Sequence, residues 1–98
     1  MLVMKKPKRE PITNDFLQSY VDGRFSSVQK YVIGRPTVFT GVIKKISLNN
    51  GIITLYRKID DQKIEVNSSY RVCRYYNDIR IMFESADQLH TVILYRPK

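Results

Sequence analysis

From Ser27 onward the chain alternates short apolar, β-branched stretches with tight polar breaks, the pattern of strands rather than helices. Residues 28–33 are rich in β-branched and aromatic side chains and end at Gly34-Arg35-Pro36, a turn signal. Residues 37–48 predict a long strand in which Gly41 marks a sharp bend or bulge. Asn49-Asn50-Gly51 is the clearest hairpin turn, because Asn and Gly tolerate positive φ. Residues 52–59 return as a strand, with Ile53, Leu55 and Ile59 expected inward and Tyr56 and Lys58 outward. Asp60-Asp61-Gln62 turns again and residues 63–66 come back. Residues 70–76, 79–83 and 89–95 complete the run, separated by Asn77-Asp78 and by the polar stretch 84–88.

Ahead of the strands a short helix is expected. Thr13, Asn14 and Asp15 are N-cap types, and Asp15 places negative charge at the positive end of the helix dipole. Leu17, Tyr20, Val21 and Arg24 follow at helical spacing, with Phe16 and Phe25 widening the stripe. Gly23 weakens the interior, so the helix is expected to end around residues 22–24. Two to three turns cannot stand alone and must lie on the sheet.

Strands joined by short turns, with no helices between them, make an antiparallel meander. A twisted meander of this size cannot bury both faces while flat. The expected fold is therefore mainly β with one N-terminal helix, its strongly bent strands closing into a small antiparallel β-barrel of SH3-like, Sm-like or OB type. One domain over residues 13–98 follows a basic flexible tail over residues 1–12, where Lys5, Lys6, Lys8 and Arg9 are interspersed with Pro7 and Pro11.

The order of elements, with particular residues, resembles the Sm family in its bacterial Hfq form. Asp15-Phe16-Leu17, then Arg24, then the stretch 28–34 closing on Gly34, is similar to the Hfq start. Gly41-Val42-Ile43 resembles the Gly-x-Ile of the bent second Sm strand, and Ile52-Ile53-Thr54-Leu55 its apolar third strand. The likeness covers residues 14–75. Two departures stand against it: six residues separate Gly34 from Gly41, and residues 64–73 (IEVNSSYRVC) lack the aromatic-Lys-His signature. No RNA-binding residue is therefore carried over there. The resemblance implies an oligomeric ring that binds single-stranded RNA.

Composition sharpens the functional reading. Ninety-eight residues leave room for one domain. Seventeen Lys and Arg against nine Asp and Glu give a formal charge of +8 and a pI near 9.8, which favours an anionic partner. Cys73 is the only cysteine, so no internal disulfide forms, and the charged opening residues do not read as a secretory leader. A reducing cytoplasm is the expected compartment, and no apolar run is long enough to span a membrane, so no membrane partner is expected.

Catalytic constellations are scarce. His90 and Cys73 are the one nucleophile–base pair in view, and both fall in alternating strands where a buried, inert Cys is the ordinary finding. Asp60-Asp61 reads as a solvated turn. There is no phosphate-cradling Gly loop, and neither a metal site nor a cofactor is expected. The expectation is a non-enzyme.

Binding chemistry is better supplied, because seven tyrosines interleave with cations. Aromatic faces stack on unpaired bases while Arg and Lys meet phosphates. Lys45, Arg57, Lys58, Arg71 and Arg74 are the candidate phosphate contacts; Tyr56, Tyr75 and Tyr76 are the candidate stacking platforms. If Val72 faces the core, Arg71 and Tyr75 face out together, whereas Lys44 and Lys45 point to opposite faces. The leading reading is a non-catalytic binder of single-stranded nucleic acid, RNA favoured. A second reading stays open: an interaction or inhibitory module for an acidic protein surface, or one that assembles into a homo-oligomer.

Overall fold

The computed structural model describes residues 12–67, 70–74 and 80–98, with the backbone alone at 71–74. The basic tail expected over residues 1–12 falls, apart from Ile12, outside them. Helix α1 (Asn14–Gln18) precedes strands β1 (Arg24–Gln29), β2 (Thr37–Asn49), β3 (Ile52–Arg57), β4 (Lys63–Val66), β5 (Arg71–Arg74), β6 (Arg80–Glu84) and β7 (His90–Tyr95). The strands hydrogen-bond in the order β4-β3-β2-β1-β7-β6-β5, each neighbour antiparallel. The fold is mainly β with one short N-terminal helix.

The turns follow their residues. Asn50 and Gly51 both carry positive φ, 52° and 76°, as a two-residue hairpin of the right hand of twist requires. The β1–β2 connection is different. Residues 30–33, expected to extend a strand, lie at and beyond the last backbone bond that β7's side offers, from Lys30 N to the Leu89 carbonyl. With no partner to pair, they leave the sheet as an exposed loop, and β1 begins earlier, at Arg24, where Phe25 and Ser27 take the inward positions.

β2 is shared between two pairings. Its first half, to Val42, pairs with β1; its second half, from Ile43, pairs with β3. A bulge between Ile43 and Lys45 makes the change of direction, two residues beyond the glycine expected to mark it. Gly41 instead makes room for its neighbours: a Cβ there would collide with the Arg57 side chain and sit 3.2 Å from the Phe25 ring.

β2's far edge, past the end of β1, would expose unpaired backbone groups. α1 covers it with side chains. The Asn14 amide donates to the Leu48 carbonyl (3.0 Å) and accepts from the Leu48 N–H (2.7 Å), and Gln18 Nε2 donates to the Ile46 carbonyl (2.8 Å). Thr13 caps the helix by accepting from the Phe16 N–H (3.1 Å). The helix is shorter than the two to three turns expected, since the chain turns at residues 19–22 to enter β1.

One core joins all of this. Ile46, Leu55 and Val66 from one half pack in the same cluster as Phe25, Phe83, Val92 and Leu94 from the other, with Leu17 and Tyr20 beneath. Ile53, Val66 and Phe83 line one cavity of about 230 Å³, although β3 and β6 are well separated in the strand order. The sheet must therefore curl back on itself. Closure expected of a barrel is another matter: among the described residues no ladder joins β4 to β5. Strand parity gives the reason. With every neighbour antiparallel, β4 and β5 run in the same direction, so the short link between them cannot be a hairpin.

Candidate nucleic-acid interface

Between Asp22 and Asp60 the chain contains Arg24, Lys30, Arg35, Lys44, Lys45, Arg57 and Lys58 and no acidic residue. This run covers β1, β2, β3 and the loop between the first two. Acids just outside it neutralise part of the charge. Lys44 Nζ lies 2.6 Å from Asp61, and Lys58 Nζ 3.5 Å from Asp22. Arg24, Lys30, Arg35 and Lys45 form no ion pair with a described residue.

Arg57 is the most heavily engaged of the candidate cations whose side chains are described. Its Nε and one terminal nitrogen grip Asp60 at 2.9 and 2.6 Å, the other donates to the Thr40 carbonyl at 3.1 Å, and the guanidinium lies 3.8 Å from the Phe39 ring centroid. The hydrogen bond to Asp60 holds Arg57 above its usual range and Asp60 below the usual carboxylate range. Here Arg57 braces the β3–β4 turn against β2.

Lys45 and Tyr56 are brought together. They are register partners across β2 and β3, and Lys45 Nζ sits 4.7 Å from the tyrosine ring centroid. Tyr56 is in turn the register partner of Lys63 on β4, whose ammonium is held above its usual range chiefly by Glu65, 2.9 Å away. With Leu55 buried beneath, Lys45, Tyr56 and Lys63 form one cross-strand row on the outer face. Lys63 escaped the sequence reading because its register with Tyr56 depends on the β3–β4 turn.

Two orientations differ from expectation. Lys44 and Lys45 are both exposed, because the bulge between Ile43 and Lys45 interrupts the alternation that would have sent one inward. Ile59, expected in the core, is 84% exposed, since β3 ends at Arg57 and residues 58–60 form the turn. Arg71 and Arg74 stand on β5 opposite Glu84 and Ile81, their side chains outside the described residues; Tyr75 and Tyr76 lie outside them altogether.

A polar cluster inside the fold went unread. Ser27, only 8% exposed, places Oγ 2.7 Å from His90 Nε2, and Tyr70 OH hydrogen-bonds His90 Nδ1. Either imidazole tautomer satisfies both contacts, the neighbouring hydroxyl supplying the opposite role. Burial holds His90 below the usual imidazole value, partly offset by Asp87, and holds Tyr70 above the usual phenol value. The nearby 230 Å³ cavity is lined by Tyr70 but by neither Ser27 nor His90. Ser27 shares the inward face of Phe25, so the cluster satisfies buried polar groups at one end of the core. The pairing of β1 with β7 brings Ser27 to His90, and the β5–β6–β7 ladders bring Tyr70, just ahead of β5, to the same ring; no local sequence signal announces either.

Among the described residues no group of three or more His, Cys, Asp or Glu gathers to hold a metal, and no helix is long and apolar enough to cross a membrane. No protein-family model, no curated protein and no solved structure matches this chain.

Proposed function

We propose that the protein binds single-stranded nucleic acid, RNA in preference to DNA, without catalysis. The supporting observation is the row Lys45–Tyr56–Lys63 on the outer face of β2, β3 and β4. A base stacks on Tyr56 in place of the Lys45 ammonium, which then moves to a phosphate, and Lys63 meets the phosphate on the other side. Lys58 extends the contact, and Arg71, Arg74, Tyr75 and Tyr76 complete the candidate set on the grounds of sequence. In this reading the curled sheet is a small Sm-like barrel with its seam between β4 and β5.

The test is fluorescence anisotropy with labelled 12-nucleotide RNA and DNA of one sequence, at several salt concentrations. Binding should weaken steeply with salt, with Lys45→Ala and Lys63→Ala each reducing the slope of log K against log salt by about 0.7. Tyr56→Ala should weaken binding roughly tenfold with the slope unchanged. Absence of binding at low salt, or a Tyr56→Ala variant equal to wild type, would sink the reading.

A further inference from the structure

The β1–β2 loop, residues 30–36, carries Lys-Tyr-Val-Ile-Gly-Arg-Pro. Val32 and Ile33 are 89% and 91% exposed, two adjacent aliphatic side chains left almost wholly in water, and Tyr31 beside them is also exposed. The loop's base is tied down, Lys30 N donating to the Leu89 carbonyl (2.6 Å) and the Thr37 hydroxyl to Tyr31 OH (3.4 Å), but its tip is open: Gly34 has φ +113°, and a Cβ there would meet nothing within 4 Å. Lys30 and Arg35 flank the apolar tip, and neither has an ion-pair partner among the described residues. Lys44, Arg57, Lys58 and Lys63 each face a carboxylate, whereas Arg24 and Lys45, like the two loop cations, pair with no described acid. An apolar tip between two uncompensated cations is complementary to a polyanion with apolar surface between its charges.

A bilayer and a nucleic-acid strand both have that chemistry, and magnitude separates them. The two aliphatic side chains offer seven carbons, about half of a myristoyl chain that itself gives only marginal membrane binding. A nucleic-acid strand needs no such depth of insertion, and it is the ligand proposed above for the neighbouring face. The loop lies within the same acid-free run as Lys45 and Tyr56. From Thr37, where the loop rejoins the sheet, to Lys45 is eight residues of β2, at most about 26 Å along the strand.

We propose that the 30–36 loop is a second contact for the same strand, with Val32 and Ile33 wedging between adjacent bases, Tyr31 stacking on one of them, and Lys30 and Arg35 holding the flanking phosphates. The inference rests on the nucleic-acid reading above and adds a site to it. Minor-groove binders insert apolar side chains between the base steps of a duplex; here the same wedge acts on a single strand, whose bases are already unpaired and which aromatic side chains and a basic surface hold. The spacing also sets a length requirement: a tetranucleotide reaches one contact, whereas a dodecanucleotide reaches both.

The experiment measures anisotropy for the full chain with labelled RNA of 4 and 12 nucleotides, the longer one carrying 2-aminopurine at successive positions. The double variant Val32→Ser/Ile33→Ser should weaken 12-mer binding roughly five- to tenfold, leave the 4-mer and the salt slope unchanged, and abolish the 2-aminopurine rise that reports unstacking. Lys30→Ala/Arg35→Ala should instead lower the 12-mer salt slope by about 1.4. These loop positions are exposed, so the variants fold as wild type does, which circular dichroism checks. A 12-mer that binds wild type and the Val32/Ile33 variant equally overturns the wedge while leaving the Tyr56 face intact. No binding of either length by wild type overturns both. Binding of wild type to phosphatidylserine-containing vesicles, lost in the Val32/Ile33 variant while RNA affinity is unchanged, overturns the wedge and assigns the loop to a bilayer.

Discussion

His90 is the protein's only histidine, and its surroundings give it a measurable signature. Burial between Ser27 and Tyr70 favours the neutral ring, so its folded pKa lies below the unfolded value. Below the unfolded value of about 6.5 the unfolded chain therefore binds more protons than the native one, and stability falls as pH drops through the folded pKa. The urea midpoint should be level above about pH 7 and decline toward pH 5. A His90→Asn variant should be less stable at neutral pH and lose this decline. Asp60 and Asp87, both held below the usual carboxylate range, act in the same direction but only at more acid pH, so the two windows separate. A wild-type midpoint that stays level from pH 7.5 to 5 would show that the ring is not held neutral.

Among the elements, the turn leading into β1 shows how a short segment depends on a distant one. Gly23 reads in sequence as a weak helix position, but the structure gives it a steric role. A Cβ at Gly23 would overlap the Tyr95 carbonyl oxygen of β7, a backbone atom that cannot swing away. The Gly23 carbonyl also accepts from the Ile43 N–H at 2.8 Å, which ties the turn to β2. Arg96, just past β7, adds a clamp over the Phe16 and Tyr20 rings, 5.7 and 5.4 Å from their centroids. Gly23→Ala should therefore destabilise by about 3 kcal/mol, as overpacking against a fixed neighbour does, measured by chemical denaturation. The better helix propensity of alanine would predict the opposite sign.

For the whole molecule, the decisive matter is which apolar residues the curled sheet encloses. Period-two alternation along residues 52–59 assigns Leu55 and Ile59 equally to the core. Leu55 is fully buried, while Ile59 is exposed in the β3–β4 turn. Leu55→Ala should cost about 2–5 kcal/mol, while Ile59→Ala should stay within about 0.5 kcal/mol of wild type. Equal losses at both positions would mean that the 58–62 turn packs against the body in solution.

The strands after the first, the turn at Asn49-Asn50-Gly51, a helix N-cap among Thr13, Asn14 and Asp15 and the inward positions of Ile53 and Leu55 were legible from the sequence, because each depends on a local preference or a period within one element. The positive charge and the place of Tyr56 next to Arg57 and Lys58 were legible too, since composition and the local sequence carry them. The acid-free run from 23 to 59 is also a property of the sequence alone. Other features needed the assembled chain. The bulge between Ile43 and Lys45 arises where β2 changes partners, the Lys45–Tyr56–Lys63 row comes from cross-strand register, and the Ser27–His90–Tyr70 cluster comes from the β1–β7 pairing together with the β5–β6–β7 ladders. The exposure of Val32 and Ile33 follows from where β7 stops offering partners to β1. Sequence on its own determined which segments could be strands and how charged their surface is; tertiary structure decided which residues meet. Strand propensity acts between neighbours along the chain, whereas register and curl minimise the free energy of contacts that sequence distance does not encode.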